Sequence, residues 1–337
     1  MKWWFKPILA VLVGGELVLC AVFGNRVYIN VKQRKDVLGA QYVTRISKTS
    51  VVFPRDNDLK FYYEPKPNSS SSAHPDWLSY TTTYTYNADG IRATKDYTDQ
   101  KSPDVFRIIA LGDSFTEGQY VNISDVYTTV LEHLLNQYAN TCSSGKKFEI
   151  INLGVIGYDV TYAVERYRRH GIQYNPDLVV WLINEHNVLM LSDLLYPLQQ
   201  KIENETSAAA RLQHERERNY YYASDIARKQ LVAQYSQDYI FSLQRQALNT
   251  FSSFYRGPLL IAMFQGASSA TKEVVASFVN DRKNSYFDDS LTQLSREEGT
   301  ELPDYHPSIS GHTIIANQLF QYLKDKQLIP CLSILRQ

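Results

Sequence analysis

Four short, mainly apolar segments and a fifth of aromatic and acidic residues alternate with segments of helical periodicity, and this alternation constrains the fold more than any other feature. The mainly apolar segments are predicted strands at residues 106–111, 148–151, 177–183 and 258–264, and the fifth is a predicted short strand at 286–290. The segments between them carry apolar residues at helical spacing, as in Val126, Val130 and Leu134. Strands separated by helix-length connections form parallel β-α-β units with right-handed crossovers. The sequence therefore predicts an α/β domain over residues 104–328.

Two further regions accompany this domain. Residues 197–248 are rich in Gln, Arg, Glu, Ala and Tyr, which favours one or two amphipathic helices inserted at about 190–250, beside the entrance to the site. Residues 27–103 are predicted to be a linker followed by a small β-rich extension. Within it, the Tyr and Thr residues of 80–86 are typical of a strand, whereas the four serines of 69–72 indicate a flexible turn or loop.

The N-terminal residues 1–26 predict a membrane anchor. An apolar run over 8–23 is interrupted only by Glu16, and it reaches the roughly 20 residues of a spanning helix when its flanks are included. Trp3 and Trp4 suit the membrane interface. We interpret Glu16 as a tolerated polar residue, with an intramembrane contact as the alternative reading. A cleaved signal peptide is the other alternative, but no small-residue cleavage site follows the run.

Charge does not settle the orientation of this anchor. Two lysines precede the apolar run and four basic residues follow it, which by the positive-inside rule would keep the domain in the cytoplasm. Long domains, however, cross membranes largely regardless of such charges. We expect a single-pass protein with its N-terminus inside and its α/β domain outside the cytoplasm.

Composition excludes several classes of protein. Lys plus Arg and Asp plus Glu both number 35, so the net charge is zero, and a nucleic-acid partner is not expected. Three cysteines cannot form a disulfide framework, although a Cys142–Cys331 bridge is possible in an oxidising compartment. No cluster has metal-ligand spacing and no Gly-rich loop suits a phosphate, so the sequence implies no metal and no cofactor.

The segment Leu111–Gly118 comes directly after a predicted strand and before a helix, where a nucleophile is well placed. Ser114 would sit at a helix N-terminus, whose unpaired N–H groups favour developing negative charge. The alternative is a structural turn in which Asp113 or Ser114 caps the helix.

Of the seven histidines, His306 is the best candidate for a base. It lies in a loop just before the closing helix, and Asp304 is two residues away. In a parallel sheet this loop reaches the same edge as the loop that carries Ser114. A structural Asp with a bystander His is the alternative.

Three segments of the chain together resemble the SGNH (GDSL-type) hydrolases, in the same order and spacing: Gly112–Thr116, Asn152–Gly157 and Asp304–Ser308, the last followed by Gly311 and His312. The resemblance covers residues 104–326. It implies a flavodoxin-like three-layer α/β/α sandwich with a five-stranded parallel sheet. It further implies Ser114 as nucleophile, His306 as base, Asp304 as the orienting acid, and the Gly157 backbone N–H as an oxyanion donor.

The sequence departs from the family pattern in two places. The dyad is usually Asp-x-x-His, whereas here a single residue separates Asp304 from His306. The family also expects Gly-x-Asn-Asp after the third strand, with the Asn side chain donating to the oxyanion. Ungapped counting puts His186 at that Asn position, so Asn187 with a one-residue bulge, Asn184, or His186 itself is the candidate donor.

The resulting functional hypothesis is a membrane-anchored serine hydrolase that acts on ester bonds, as an esterase, lipase or acyl transferase. Its substrate is expected to be an ester, or an acylated glycan or lipid. One alternative is an O-acetyl transferase or deacetylase of cell-envelope glycans. Another is a catalytically degenerate module that binds carbohydrate or a protein partner, which the altered third block favours.

Overall fold

A computed structural model describes residues 42–45, 59, 62–142, 145–206 and 213–331. The predicted anchor at residues 1–26 lies outside these ranges. The strands are β1 Tyr42–Arg45, β2 Tyr63–Pro65, β3 Ser69–Ala73, β4 Thr82–Tyr86, β5 Val105–Leu111, β6 Lys147–Asn152, β7 Leu178–Leu182, β8 Leu259–Phe264 and β9 Ser285–Leu291. The helices are α1 Ser114–Glu117, α2 Tyr127–Thr141, α3 Val160–Arg166, α4 Glu185–Leu189, α5 Ser192–Thr206, α6 Gln213–Tyr235, α7 Gln237–Phe254, α8 Ser269–Asp281 and α9 Ile309–Asp325.

The five predicted strands pair into one parallel sheet, in the order β6-β5-β7-β8-β9. The first of these strands in the chain, β5, has a neighbour on each side, so the winding direction of the sheet reverses beside it. In open α/β sheets, ligands bind beyond the carboxyl ends of the strands at such a switch point. Ser114 follows β5 at that end.

Alternating side chains of the strands fill two apolar layers, one on each face of the sheet. On one face, Ile109 and Leu111 of β5 pack with α3, α7 and α8. On the other, Ile108 and Ala110 pack with α2 and α9. Because both faces are covered, the inner strands β7 and β8 are apolar along their whole length, as is typical of buried parallel strands. The other strands also carry polar residues, such as Arg107 in β5 and Asp288 in β9. The three-layer α/β/α arrangement with a five-stranded parallel sheet is confirmed.

The β-rich extension contains an antiparallel hairpin in which β3 pairs with β4, with Ser69 opposite Tyr86. The prediction of a turn or loop for the serine run was therefore wrong. Its residues form a strand because the β4 backbone provides the hydrogen-bonding partners, and this pairing overrides the low strand propensity of serine.

The side chain of Arg92, which is buried, links the extension to the α/β domain. It donates to the backbone carbonyls of Glu117, Gly118 and Val121 at 2.7, 2.5 and 2.6 Å. These bonds join the extension to the segment after Ser114.

Among the described residues, four helices lie between β7 and β8. The short α4 directly follows β7, and α5, α6 and α7 occupy the region for which one or two helices were predicted. Helices α5 and α6 share a small apolar cluster that includes Leu195, Ala227 and Leu231. In contrast, α7 contributes Leu248 and Phe251 to the core against the sheet. Helix α7 is thus the crossover helix that a parallel β7–β8 connection needs, and the additional elements are α5 and α6.

A disulfide joins Cys142, at the end of α2, to Cys331, beyond α9, with the two Cα atoms 5.5 Å apart. The sequence allows this pairing without indicating that the two residues are close. Within the ranges given above, no helix combines the length and the apolar character that crossing a bilayer demands.

Candidate active site

A sharp turn between β5 and α1 presents Ser114. Gly112 has a φ of +154°, and a Cβ there would lie 2.9 Å from the Leu182 carbonyl oxygen, so the position favours glycine. Asp113 caps α1 by accepting from the Phe115 N–H at 2.9 Å. Ser114 is the first helical residue and is 8% exposed. The capped turn thus holds a serine hydroxyl at a helix N-terminus.

Ser114, His306 and Asp304 form one hydrogen-bonded row. The Ser114 Oγ lies 2.8 Å from His306 Nε2, and His306 Nδ1 lies 2.8 Å from Asp304 Oδ2. The three residues come from opposite ends of the domain and meet at the carboxyl edge of the sheet. With the Nδ1 proton donated to the carboxylate, Nε2 is the acceptor for the serine proton.

The loop that carries the acid and the base accommodates their short spacing through an unusual backbone conformation. Tyr305, between Asp304 and His306, has a φ of +72°, in the left-handed region. The Tyr305 N–H donates to the Leu302 carbonyl at 2.9 Å, and the Leu302 N–H donates to the His306 carbonyl at 2.7 Å. This closed turn brings both side chains to one side although only one residue separates them.

Aromatic rings enclose the imidazole of His306. The ring centroid of Phe115 lies 5.5 Å from it and that of Tyr120 lies 5.9 Å away. Trp77, from the extension, packs edge-on against Tyr120 at 5.0 Å. Apolar surroundings of this kind lower the local dielectric, which strengthens the electrostatic interactions inside the site.

Two backbone N–H groups are available for a developing oxyanion. Among the described residues, neither the Ser114 N–H nor the Gly157 N–H has a hydrogen-bond acceptor. The loop after β6 runs beside the nucleophile turn, since the Val155 N–H donates to the Gly112 carbonyl at 3.3 Å. Gly157 lies two residues after Val155, and Ser114 lies two residues after Gly112. Gly157 has a φ of +76°, which favours glycine there.

The two asparagines proposed as further donors contact Asp113. Asn187 Nδ2 donates to Asp113 Oδ2 and to the Tyr158 carbonyl, both at 2.9 Å, which uses both of its protons. Asn184 Nδ2 donates to Asp113 Oδ2 at 2.8 Å, and within the described chain this nitrogen makes no second bond. Asn184 and Asn187 also form a capping box at the start of α4. Among the described residues, both N–H groups of the Asn187 amide are therefore hydrogen-bonded, whereas one N–H of the Asn184 amide is available to a ligand.

His186, the third candidate donor, is held neutral by its surroundings. Burial lowers its pKa to about 4, and the positive charge of Arg228 adds to the effect. Its Nε2 is buried and makes no hydrogen bond with any described residue. A neutral imidazole can donate through one nitrogen, so His186 remains chemically competent for that role.

The sequence did not predict which residues bind the loop of residues 153–159 that carries Gly157 (the oxyanion loop). Glu117 is fully buried and accepts the Ile156 N–H at 2.6 Å. Tyr63 and Tyr196 bring their hydroxyl groups close to Gly157, where an added Cβ would meet them at 2.6 and 2.9 Å. The one signal for the tyrosines was their number, 25 in the chain, which indicates wet clefts but no positions. No group of three or more His, Cys, Asp or Glu suited to a metal ion occurs in the part of the chain that the structure describes.

A scan against protein-family models finds no match, and no curated protein matches the sequence. Solved structures do resemble the chain. TesA has 12% identity and a TM-score of 0.38, with 66% of this chain and 99% of that chain covered. A two-domain esterase active on acetylated mannans has 12% identity and a TM-score of 0.42, with 69% and 53% covered, so this chain spans about half its length.

A third similar structure is the esterase EstA from Pseudoalteromonas sp., with 10% identity and a TM-score of 0.39 over 66% of this chain and 98% of that one. The identities and TM-scores are low, so the functional conclusion rests on the geometry of this chain's own site.

Proposed function

We propose that this chain is an SGNH-type serine hydrolase that acts on ester bonds, with Ser114 as nucleophile, His306 as general base and Asp304 as the acid that orients it. The observation that carries the proposal is the row of two 2.8 Å contacts, from Ser114 Oγ to His306 Nε2 and from His306 Nδ1 to Asp304 Oδ2. A nucleophile and a base within hydrogen-bond reach, with the base held by a third group, are what nucleophilic catalysis of acyl transfer needs.

In the first step, Ser114 Oγ attacks the ester carbonyl carbon while His306 Nε2 takes the serine proton. His306 then gives this proton to the leaving alcohol as the carbon–oxygen bond breaks, which leaves an acyl group on Ser114. In the second step, water attacks the acyl group and the same imidazole carries the proton back to Ser114. Asp304 Oδ2 accepts a hydrogen bond from the Nδ1–H throughout, so it fixes the tautomer and stabilises the charged imidazolium.

The negative charge that develops on the carbonyl oxygen is assigned to the backbone N–H groups of Ser114 and Gly157. Both groups lack an acceptor within the described residues, and Ser114 lies at a helix N-terminus where the backbone dipoles favour an anion. A third donor is assigned to Asn184, whose amide keeps one proton outside its bond to Asp113. Asn187 would first have to release one of its two acceptors.

A fluorophosphonate probe tests the proposal on the full-length protein in detergent. The expected result is covalent labelling at Ser114, no labelling of folded Ser114→Ala, and hydrolysis of p-nitrophenyl acetate or longer p-nitrophenyl esters by the wild type alone. Failure of the folded wild type to react would instead support the non-catalytic module. If an added alcohol receives the acyl group in place of water, so that a new ester forms, the enzyme is an acyl transferase.

An acetylated glycan is the second candidate substrate, and Tyr305 is the observation that favours it. This ring is 64% exposed beside the catalytic histidine, and the Arg296 guanidinium lies 3.8 Å from the ring centroid. A fixed, exposed aromatic ring next to the group that protonates the leaving alcohol suits a sugar as that alcohol. Tyr305→Ala should then reduce acetate release from acetylated mannan or xylan while p-nitrophenyl acetate hydrolysis is retained. An equal loss of activity on the acetylated glycan and on p-nitrophenyl acetate would count against a glycan as the substrate.

We propose that residues 1–26 anchor the protein in a membrane with a single pass, and that the catalytic domain lies outside the cytoplasm. The Cys142–Cys331 disulfide supports the oxidising side of the membrane, since disulfides are rare in the cytosol. Protease treatment of intact spheroplasts should digest the domain beyond residue 40. Protection until the membrane is lysed would reverse the orientation.

A further inference from the structure

Two side chains outside the triad hold the peptide unit that carries the Gly157 N–H. The Tyr63 hydroxyl donates a short hydrogen bond to the Ile156 carbonyl oxygen. Because a peptide unit is planar and trans, the Ile156 carbonyl and the Gly157 N–H belong to one rigid plane and point in opposite directions. A hydroxyl bound to that carbonyl therefore fixes the direction of the proposed oxyanion donor.

Glu117 holds the preceding peptide unit and ties it to the nucleophile helix. Its Oε2 accepts the Ile156 N–H at 2.6 Å, and its Oε1 accepts a short hydrogen bond from the Tyr86 hydroxyl. Burial raises the pKa of Tyr86 well above its usual value, and the negative charge of Glu117 adds to this, so Tyr86 keeps the proton it donates. Glu117 is the last residue of α1, which begins with Ser114. The nucleophile and the oxyanion loop are thus fixed relative to each other.

The carbonyl on the other side of Gly157 is also bound. The Tyr196 hydroxyl, from α5, donates to the Gly157 carbonyl at 3.2 Å and lies 2.9 Å from the Tyr63 hydroxyl. Hydrogen bonds to a carbonyl polarise its peptide unit, which makes the N–H of that unit a stronger donor. The Tyr63 bond is to the unit that contains the Gly157 N–H, whereas the Tyr196 bond is to the next unit along the chain.

We infer that Tyr63 and Glu117 are positioning residues for the oxyanion donor Gly157, and that the β-rich extension is consequently part of the catalytic machinery. The extension supplies both Tyr63, in β2, and Tyr86, in β4. This inference rests on the proposed ester hydrolase function. It extends that function by giving the extension a role in transition-state stabilisation.

The test compares Tyr63→Phe with the matched control Tyr97→Phe in the full-length protein. The Tyr97 hydroxyl also donates to a backbone carbonyl, that of Ile150 at 3.3 Å, in the middle of β6. Loss of a direct oxyanion donor costs about 10²- to 10³-fold in rate, so a misaligned donor should cost Tyr63→Phe about 10-fold in kcat with KM little changed. Tyr97→Phe should keep the wild-type kcat.

The inhibition constant of a short alkylboronic acid separates positioning from a loss of folded enzyme. The boronic acid forms a tetrahedral adduct with the serine, so its inhibition constant reports oxyanion binding and is independent of how much enzyme is active. We expect about 10-fold weaker inhibition of Tyr63→Phe and unchanged inhibition of Tyr97→Phe. Glu117→Gln, which keeps an oxygen acceptor for the Ile156 N–H, should retain more activity than Glu117→Ala.

Two results would overturn the inference while leaving the proposed function in place. One is Ser114 labelling and wild-type kcat in Tyr63→Phe. The other is a lowered kcat with an unchanged boronic acid inhibition constant. A wild-type protein that does not label at Ser114 and hydrolyses no ester would overturn the proposed function, and this inference with it.

Discussion

The side-chain amide of Asn187 donates to the carboxylate of Asp113, the residue before the nucleophile, across 2.9 Å. The second proton of that amide goes to the Tyr158 carbonyl, in the residue after Gly157. The side chain of Asn187, which the sequence suggested as an oxyanion donor, therefore joins the turn that carries Ser114 to the loop that carries Gly157. Asn184, which shares the same acceptor on Asp113, is left as the amide with a proton for the substrate.

We expect Asn187→Ala to destabilise the fold more than Asn184→Ala. Asn187 is 4% exposed, and its loss leaves the Tyr158 carbonyl and the Asn184 N–H without these partners, which costs about 2–3 kcal/mol. Asn184→Ala removes an N-cap, which costs about 1 kcal/mol. Urea unfolding of both variants measures the difference. Equal destabilisation, or an activity loss larger for Asn187→Ala at equal folded fraction, would contradict the assignment of roles.

Asp304→Asn should lower kcat by about 10³- to 10⁴-fold, because an amide cannot accept the Nδ1 proton in the same way or stabilise the imidazolium. The short Asp-x-His spacing makes this a direct test of whether Asp304 is the acid of the triad. Asp289→Asn is the control, since Asp289 is an exposed carboxylate that pairs with Lys272 at 3.2 Å. Similar kcat values for the two variants would remove Asp304 from the mechanism.

Glu64 should contribute to acid sensitivity. Burial of this carboxyl raises its pKa, but the hydrogen bond from His170 at 3.1 Å and the charge of Arg166 outweigh burial and lower it to about 2. Its folded pKa is below the usual 4.5, so the ionised group stabilises the fold above about pH 4.5, and this contribution falls away towards pH 2. The full shift corresponds to about 3 kcal/mol.

The measurement is the free energy of unfolding of wild type and Glu64→Gln between pH 2 and 6. The difference between the two should be largest at pH 6 and should shrink as the pH falls. A difference that does not depend on pH would mean that Glu64 stabilises the fold without its charge.

Reduction of the Cys142–Cys331 disulfide should destabilise the domain by about 2–5 kcal/mol, since the bridge closes a loop with a sequence separation of 189 residues. Urea unfolding with and without dithiothreitol measures this. The double variant Cys142→Ser with Cys331→Ser is the control, and its unfolding midpoint should not respond to dithiothreitol. No response in the wild type either would show that the bridge contributes nothing to stability.

Most of the sheet could be predicted because its strands are largely apolar runs, as in residues 258–264, and local patterning carries that information. The chemistry of Ser114, His306 and Asp304 was likewise marked by short segments of sequence. The contact from Tyr63 to Ile156 joins residues 93 positions apart and has no local pattern, so only the folded chain reveals it. The strand at Ser69–Ala73 was missed for the same reason, since its partner β4 determines its conformation.

The left-handed backbone of Tyr305 governs which residues evolution can place between the acid and the base. Left-handed φ values cost a residue with a Cβ about 1–2 kcal/mol, and β-branched residues suffer most. In a saturation library at this codon, selection for hydrolysis of a small ester should enrich Gly and Asn and deplete Val and Ile. Selection on the natural substrate should instead retain aromatic residues if the ring binds the leaving group. The two enrichment profiles would separate the steric cost of the short loop from the recognition function of its side chain.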